Sequence, residues 1–280
     1  MPFRARLVLV GASNLARDFP LVIDCAEQGL APDLGTGPLQ IFSACGHGRS
    51  YGTWSRVFLL RGLPGIAHCG LWPALDDAVA AHPEIPTFAL LTDIGNDVAY
   101  GAPPDDITRW VESCLQRLAG LGPSVTTAVT LLPLTSLQRL RRWKFHLLRL
   151  LFFPTHPNTY ERVQRRTVEL QERLHAVAER FEVPALEPDP EWLGPDHIHF
   201  RRRTRRRAWR EILGLWRPAE TRATDHGSQP QGALPLPLPL PLPRHVWWTL
   251  TPELWTLAGI PLGREQPAGR LPDGSEVWLF

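Results

Sequence analysis

The sequence predicts an α/β fold, a three-layer α/β/α sandwich on a mainly parallel sheet of five strands. Three observations carry this. Short aliphatic and β-branched runs without alternation, such as Arg6-Leu-Val-Leu-Val10, have the pattern of strands covered on both faces. Longer stretches with apolar residues three and four apart alternate with them along the chain. Each strand pattern ends in a loop rich in glycine, polar or titratable residues, and in open α/β sheets ligands sit beyond the carboxyl ends of the strands.

The first strand, 6–10, runs into Gly11-Ala-Ser-Asn-Leu-Ala-Arg17 and a helix expected over 15–28, with Gly29 as its C-cap. The second, 39–43, ends in Ala44-Cys-Gly-His-Gly-Arg-Ser-Tyr-Gly52, whose glycines make it a loop. A helical pattern covers 71–81, before Pro83 and Pro86. The third strand, 87–92, ends in Asp93-Ile-Gly-Asn-Asp97, and a helix follows over 105–119 between Pro103-Pro104 and Gly120. The fourth strand spans 124–132. Residues 158–181 place Tyr160, Val163, Leu170, Leu174, Val177 and Phe181 on one helical stripe. Asn158, with Glu161 three positions later, has the pattern of a capping box at its start. A short fifth strand over 183–186 precedes Asp196-His-Ile-His199 and a last helix that ends near Trp216.

These patterns place a main domain over 1–217. A Pro-Leu-rich linker follows over 218–244, where the alternation of proline and leucine from 233 favours extended polyproline II and cannot build a ladder. Residues 245–280 read as a short tail with one hairpin, turning at Pro272-Asp-Gly-Ser275, that packs back on the main domain or on a partner.

Composition narrows the class. The formal net charge is +2, and Lys144 is the only lysine, a bias read mainly as base composition rather than as a demand for anion contacts. Cys25, Cys45, Cys69 and Cys114 have no CxxC spacing, which argues against a zinc ribbon or a disulfide framework. The apolar run after the basic start is too short for a signal peptide, and no stretch reaches about 20 apolar residues, so a cytoplasmic protein is expected.

Ser13, Gly46, Asn96, and Asp196 with His199 each follow a strand. A serine becomes a nucleophile when a base takes its proton; a histidine can do this, and a carboxylate three residues earlier can hold the imidazole in one tautomer. The N–H groups of Ser13 and Gly46 and the Asn96 amide are suited to receive a developing oxyanion. Plainer readings stand beside these: Ser13 as a helix cap, Asn96-Asp97 as a turn pair, Gly46 and Gly48 as backbone glycines, His47 as a solvated loop histidine. Asp196, His197 and His199 also offer metal-ligand chemistry, since strand alternation would put both histidines on one side, but no further ligand set is evident. A dinucleotide-binding turn is disfavoured, because Ser13 and Ala16 stand where glycines would approach the pyrophosphate.

The Gly-x-Ser turn, the glycine of the second loop, Asn96-Asp97 and Asp196-x-x-His199, in this order, resemble the four blocks of the SGNH (GDSL-type) hydrolases over about residues 6–216. The resemblance implies the flavodoxin-like form of the fold and cleavage of a carboxylic ester through an acyl-enzyme. It implies Ser13 as nucleophile, His199 as base, Asp196 as orienter, and Ser13, Gly46 and Asn96 as the oxyanion hole, with no cofactor and no metal. The implied substrate is a small-molecule, lipid or glycan ester. Two departures stand out: the family's usual Gly-Asp-Ser-Leu reads Gly11-Ala-Ser-Asn14, and its Gly-x-Asn-Asp reads Ile94-Gly-Asn-Asp97. A catalytically silent relative that binds an anionic ligand or a protein partner is the alternative.

Two basic stretches remain. Arg201-Arg-Arg-Thr-Arg-Arg-Arg207, with Ala208, Trp209, Ile212 and Trp216 as its buried side, is either a solvated arginine face paired with acids or an anion-attracting surface; nucleic acid is not the expected partner. Residues 137–153 are basic and apolar together, as a core helix or as a lid or acyl-binding wall resting on a membrane surface. In the second case Leu147, Leu148 and Leu151 would face the substrate, with His47 a further contact.

Overall fold

The computed structural model describes residues 3–57, 61–139, 142–143, 159–218 and 252–280. Strand and helix alternate from the start: β1 (Ala5–Val10), α1 (Ser13–Leu34), β2 (Leu39–Ala44), β3 (Ser55–Val57), β4 (Arg61–Leu63), α2 (Leu71–Ala81), β5 (Thr87–Leu91), α3 (Asn96–Tyr100) and α4 (Pro104–Gly120). Then come β6 (Val125–Thr130), α5 (Leu134–Leu137), α6 (Tyr160–Arg180), β7 (Ala185–Leu186), α7 (Arg205–Leu213), and the late strands β8 (Leu254–Leu257), β9 (Ile260–Gly263), β10 (Gly269–Arg270) and β11 (Glu276–Leu279).

The five expected strands lie in the order β2-β1-β5-β6-β7, all parallel, with Val10 beside both Ala44 and Leu91. β1 is buried along its whole length, and its side chains divide between two cores. Leu7 and Leu9 meet Leu15, Phe19, Val22 and Trp209 of α1 and α7 on one face. Val8 and Val10 meet Trp72, Val111 and Leu174 of α2, α4 and α6 on the other. This double burial is why the strand sequence shows no alternation. Arg6 is buried within it, and its guanidinium donates to Gln40 Oε1 (2.9 Å), Thr87 Oγ1 (3.2 Å) and the Ala78 carbonyl (2.8 Å), so the charge is bonded rather than orphaned.

The structure departs from the sequence reading in four places. α1 does not stop at Gly29 but continues to a C-cap at Gly35, whose φ of 69° suits glycine and whose N–H reaches the Ala31 carbonyl at 2.9 Å. The apolar face continues through Ala26 and Leu30, and that packing outweighs the roughly 1 kcal/mol a mid-helix glycine costs. The cap of α6 is Thr159, whose side chain accepts from Arg162 N; Asn158 lies outside the described residues, as does the Pro-Leu segment 233–244.

The tail is part of the main sheet. The expected hairpin forms, with β10 antiparallel to β11 and Gly274 at φ 90° in the turn, but β11 also pairs in parallel with β2. The sheet therefore has seven strands among the described residues, in the order β10-β11-β2-β1-β5-β6-β7. Trp278 and Phe280 stack on Phe42 at ring separations of 5.4 and 6.2 Å. Finally, β3, β4, β8 and β9 make a second, antiparallel sheet, in which β8 and β9 turn at Ala258-Gly259 with positive φ at both. Strands of three and four residues give too little pattern to read in advance. Among the described residues no helix is long and apolar enough to cross a membrane.

Val277 is fully buried in β11, whereas Leu262 in β9 is 37% exposed. Val277→Ala is expected to cost about 2 kcal/mol, and Leu262→Ala well under 1 kcal/mol, in urea unfolding of the full chain. Equal small effects would mean that the tail contributes nothing to the core.

Candidate active site

The three strands β2, β1 and β5 are neighbours in register, so the loops that leave their carboxyl ends start side by side. The Gly11 N–H bonds the Ala44 carbonyl at 3.1 Å, and the Thr92 N–H bonds the Val10 carbonyl at 2.9 Å. The approach is close enough that a Cβ at Gly11 would stand 2.5 Å from Thr92 Cγ2 and 3.1 Å from the Thr92 carbonyl oxygen. Glycine is needed there for space. Ser13 follows as the first residue of α1, and no side chain of the preceding residue caps that helix.

The cap comes from the third loop. Asp93, held at φ 58°, accepts the N–H groups of Ala12 (3.1 Å), Asn14 (2.9 Å) and Leu15 (3.2 Å) on Oδ2. Its Oδ1 accepts from Asn14 Nδ2 at 2.8 Å. Among the described residues nothing accepts the Ser13 N–H, so the carboxylate occupies the donors on either side of Ser13 and leaves its own unused.

Asn14 carries the connection further. Its Nδ2 also donates to the Ile198 carbonyl (3.1 Å), and its Oδ1 accepts the Phe200 N–H (3.0 Å). These two bonds bracket His199 and fix it over the start of α1. The result is a continuous chain: Ser13 Oγ lies 2.9 Å from His199 Nε2, and His199 Nδ1 lies 2.7 Å from Asp196 Oδ2. An ionised Asp196 sets the tautomer, with the proton on Nδ1 and a lone pair on Nε2 facing the serine hydroxyl. Burial pushes the Asp196 pKa up, but the hydrogen bonds from the His199 ring, the His199 N–H and the Ile198 N–H outweigh it and bring the value to about 2. The carboxylate is thus ionised throughout the range in which proteins work.

The second loop is built on buried polar groups. Asp97 is fully buried and accepts the Ser50 hydroxyl and, at 2.8 Å, the Tyr51 N–H. The Tyr51 hydroxyl donates to the Thr92 carbonyl at 2.8 Å, and the buried Arg49 donates to the carbonyls of Pro64 (3.0 Å) and Phe280. Gly46 is buried at the head of this loop. Asn96 opens α3 half-buried, its Nδ2 3.4 Å from the Arg49 carbonyl. His47 is exposed at the loop tip.

Ser13, Asp196 and His199 are therefore brought together, and Gly46 and Asn96 stand on the neighbouring strand ends. Leu147, Leu148 and Leu151 lie outside the described residues, as does most of 137–153. The alternation assumed for 196–199 is absent, because the segment is a chain of turns: His197 has φ 62° and its Nδ1 lies 3.0 Å from Ser136 Oγ, on a different partner from His199. Among the described residues no group of three or more His, Cys, Asp or Glu side chains has the arrangement of a metal site. Asp93 and Asn14, both missed in the sequence, had one readable signal. An acid stands at position 93, the first residue after the third predicted strand, and that strand lies next to β1.

The fold and this site define an α/β/α protein with an assembled serine–histidine–aspartate triad. The chain matches no protein-family model and no curated protein. Among solved structures it is similar to TesA, at TM-score 0.47 and 13% identity over 76% of this chain and 98% of that one. It is also similar to a member of the lipolytic protein G-D-S-L family from Veillonella parvula, at TM-score 0.43 and 10% identity over 75% and 97%. A third is the esterase EstA from Pseudoalteromonas sp., in a structure inhibited by monoethylphosphonate, at TM-score 0.41 and 9% identity over 79% and 99%.

Asp97 supplies a pH test of this scaffold. Burial raises its pKa from 3.8 to about 6, with the Ser50 and Tyr51 hydrogen bonds opposing. A folded pKa above the unfolded one gives stability that is complete below about pH 3.8 and is lost as pH rises through 6. Asp97→Asn removes this dependence, so the urea midpoint of the variant should gain on that of the wild type between pH 4 and pH 7. A difference that stays constant over this range would show the carboxylate ionised without penalty.

Proposed function

We propose that the chain is an SGNH-type serine hydrolase that cleaves a carboxylic ester through an acyl-enzyme on Ser13. The observation that supports this most directly is the Ser13–His199–Asp196 hydrogen-bonded chain, with a free Ser13 N–H at its reacting end. His199 Nε2 takes the hydroxyl proton as Ser13 Oγ attacks the ester carbonyl carbon. The charge that develops on the carbonyl oxygen is received by the Ser13 and Gly46 N–H groups and the Asn96 amide, the three donors assigned to the oxyanion. His199 then gives its proton to the departing alkoxide, leaving the acyl group on Ser13. Water, deprotonated by the same nitrogen, attacks that acyl group and restores the serine. Asp196 remains an anion throughout and stabilises the imidazolium.

The pKa of about 2 for Asp196 means that this stabilisation is available at any pH where the histidine can act as a base. Both departures from the family signature leave the proton-handling groups in place. Asp93 holds the backbone on either side of Ser13 from the end of the neighbouring strand.

The first experiment is fluorophosphonate labelling together with hydrolysis of a short p-nitrophenyl ester. Wild type should label and turn over, Ser13→Ala should do neither while keeping its circular dichroism, and Asp196→Asn should lose about 10³- to 10⁴-fold in kcat. A folded wild-type chain that never labels would instead be a binding protein using the same cleft.

Asp93 gives a second test. Asp93→Ala frees three N–H groups around Ser13 and should lower kcat by about 10²-fold with KM little changed, Asp93→Asn recovering part of it. A loss confined to KM would mean that Asp93 shapes binding and does not position the nucleophile.

A further inference from the structure

The arginine-rich run divides in the structure. Arg205 bonds Asp18, Arg206 bonds Asp24 and Arg207 bonds Glu211, so the part on α7 is a set of ion pairs, two of them tying α7 to α1. The turn before the helix is different. Arg201 and Arg203 line an open cavity of about 530 Å³ together with Arg139, which follows α5, and with Pro190, Glu191 and Thr204. Arg139 and Arg203 have no ion-pair partner among the described residues. Arg201 donates through Nε to the Leu193 carbonyl, which fixes the side chain without neutralising it. The Thr204 hydroxyl is committed to the Trp192 carbonyl at 2.8 Å. The wall therefore holds three guanidinium groups against one carboxylate, that of Glu191.

Like charges gathered around one cavity repel unless an anion lies between them. A surplus of two positive charges matches a dianion, and the planar fork of arginine matches the oxygens of a phosphoryl group in bidentate fashion. The cavity is large enough for a phosphomonoester with a small organic group. We propose that it is a binding site for phosphate or a phosphomonoester. It lies beside the loop that carries His199: Arg201 is two residues beyond that histidine, and Arg139 is three beyond Ser136, which bonds His197. The site is separate from the ester-cleaving reading and does not depend on it.

The test is calorimetric titration of the full chain with inorganic phosphate. One saturable site is expected, weakened at least about tenfold in the double variant R139A/R203A. Arg202→Ala, which removes an exposed arginine outside the cavity wall, should leave the affinity unchanged, and Glu191→Gln should tighten it severalfold. The absence of saturable binding both in this titration and to phosphatidic acid vesicles overturns the proposal, as does equal affinity in wild type and the double variant, or an equal loss in Arg202→Ala. Cosedimentation of the same variants with vesicles containing phosphatidic acid separates a lipid-borne phosphoryl group from a free one. Arginine-dependent binding in either arm supports the cavity. No reading requires turnover, so failure here leaves the fluorophosphonate result on Ser13 standing, and the reverse holds as well.

Discussion

A helix that begins at a serine engaged by a histidine has a structural problem, because its first N–H groups need acceptors and the serine hydroxyl cannot cap the helix while it faces the imidazole. Here Asp93 resolves it from the end of β5. One carboxylate oxygen gathers the N–H groups of Ala12, Asn14 and Leu15, and the other holds the Asn14 amide. Placing a non-glycine residue at φ 58° costs of order 1 kcal/mol, and aspartate is among the residues that tolerate it. Four hydrogen bonds to the one carboxylate offset that strain. The position of Ser13 relative to β5 follows from this contact, and so does everything placed relative to Ser13.

The second loop is held from below by a similar economy of buried groups. Asp97 and Tyr51 tie it to the end of β5 and the start of α3, and Arg49 ties it to the C-terminal strand through the Phe280 carbonyl. The tail thereby supports Gly46 in addition to closing the sheet edge next to β2. A tail that merely packed on the surface would leave the buried Arg49 guanidinium without the Phe280 acceptor, and unmet donors on a buried cation are costly.

How much of this was legible in the sequence depends on the range of the interaction concerned. The five parallel strands and the helices 71–81 and 105–119 follow from local periodicity, and they appear within one or two residues of the expected bounds. Ser13, Asp196 and His199 were legible because each lies in the segment beyond a strand's carboxyl end and carries a side chain whose chemistry is distinctive. The second sheet was not, since its strands are too short to carry a period and pair across almost two hundred residues. The extension of α1 past Gly29 was hidden because a glycine with open space around it is tolerated where the apolar face continues. Asp93 and Asn14 were the least legible, because a carboxylate that caps a helix across the sheet leaves no mark of spacing.

The same reasoning explains why the loop at 196–200 is shaped as it is. Asp196 and His199 lie on one turn, so bringing them together orders few residues, and Asp196 Oδ1 closes that turn by accepting the N–H groups of Ile198 and His199. A turn alone would leave the imidazole free to swing relative to Ser13. The Asn14 amide removes that freedom by grasping the backbone on both sides of His199, while the Gly194 N–H holds the His199 carbonyl at 2.7 Å from behind. A leucine at position 14 could make none of these bonds. Asn14 and Asp93 are therefore one device: the amide at position 14 bonds the carboxylate at the end of β5 and the histidine loop at once. Ser13, Asp93 and His199 are joined through a single side chain.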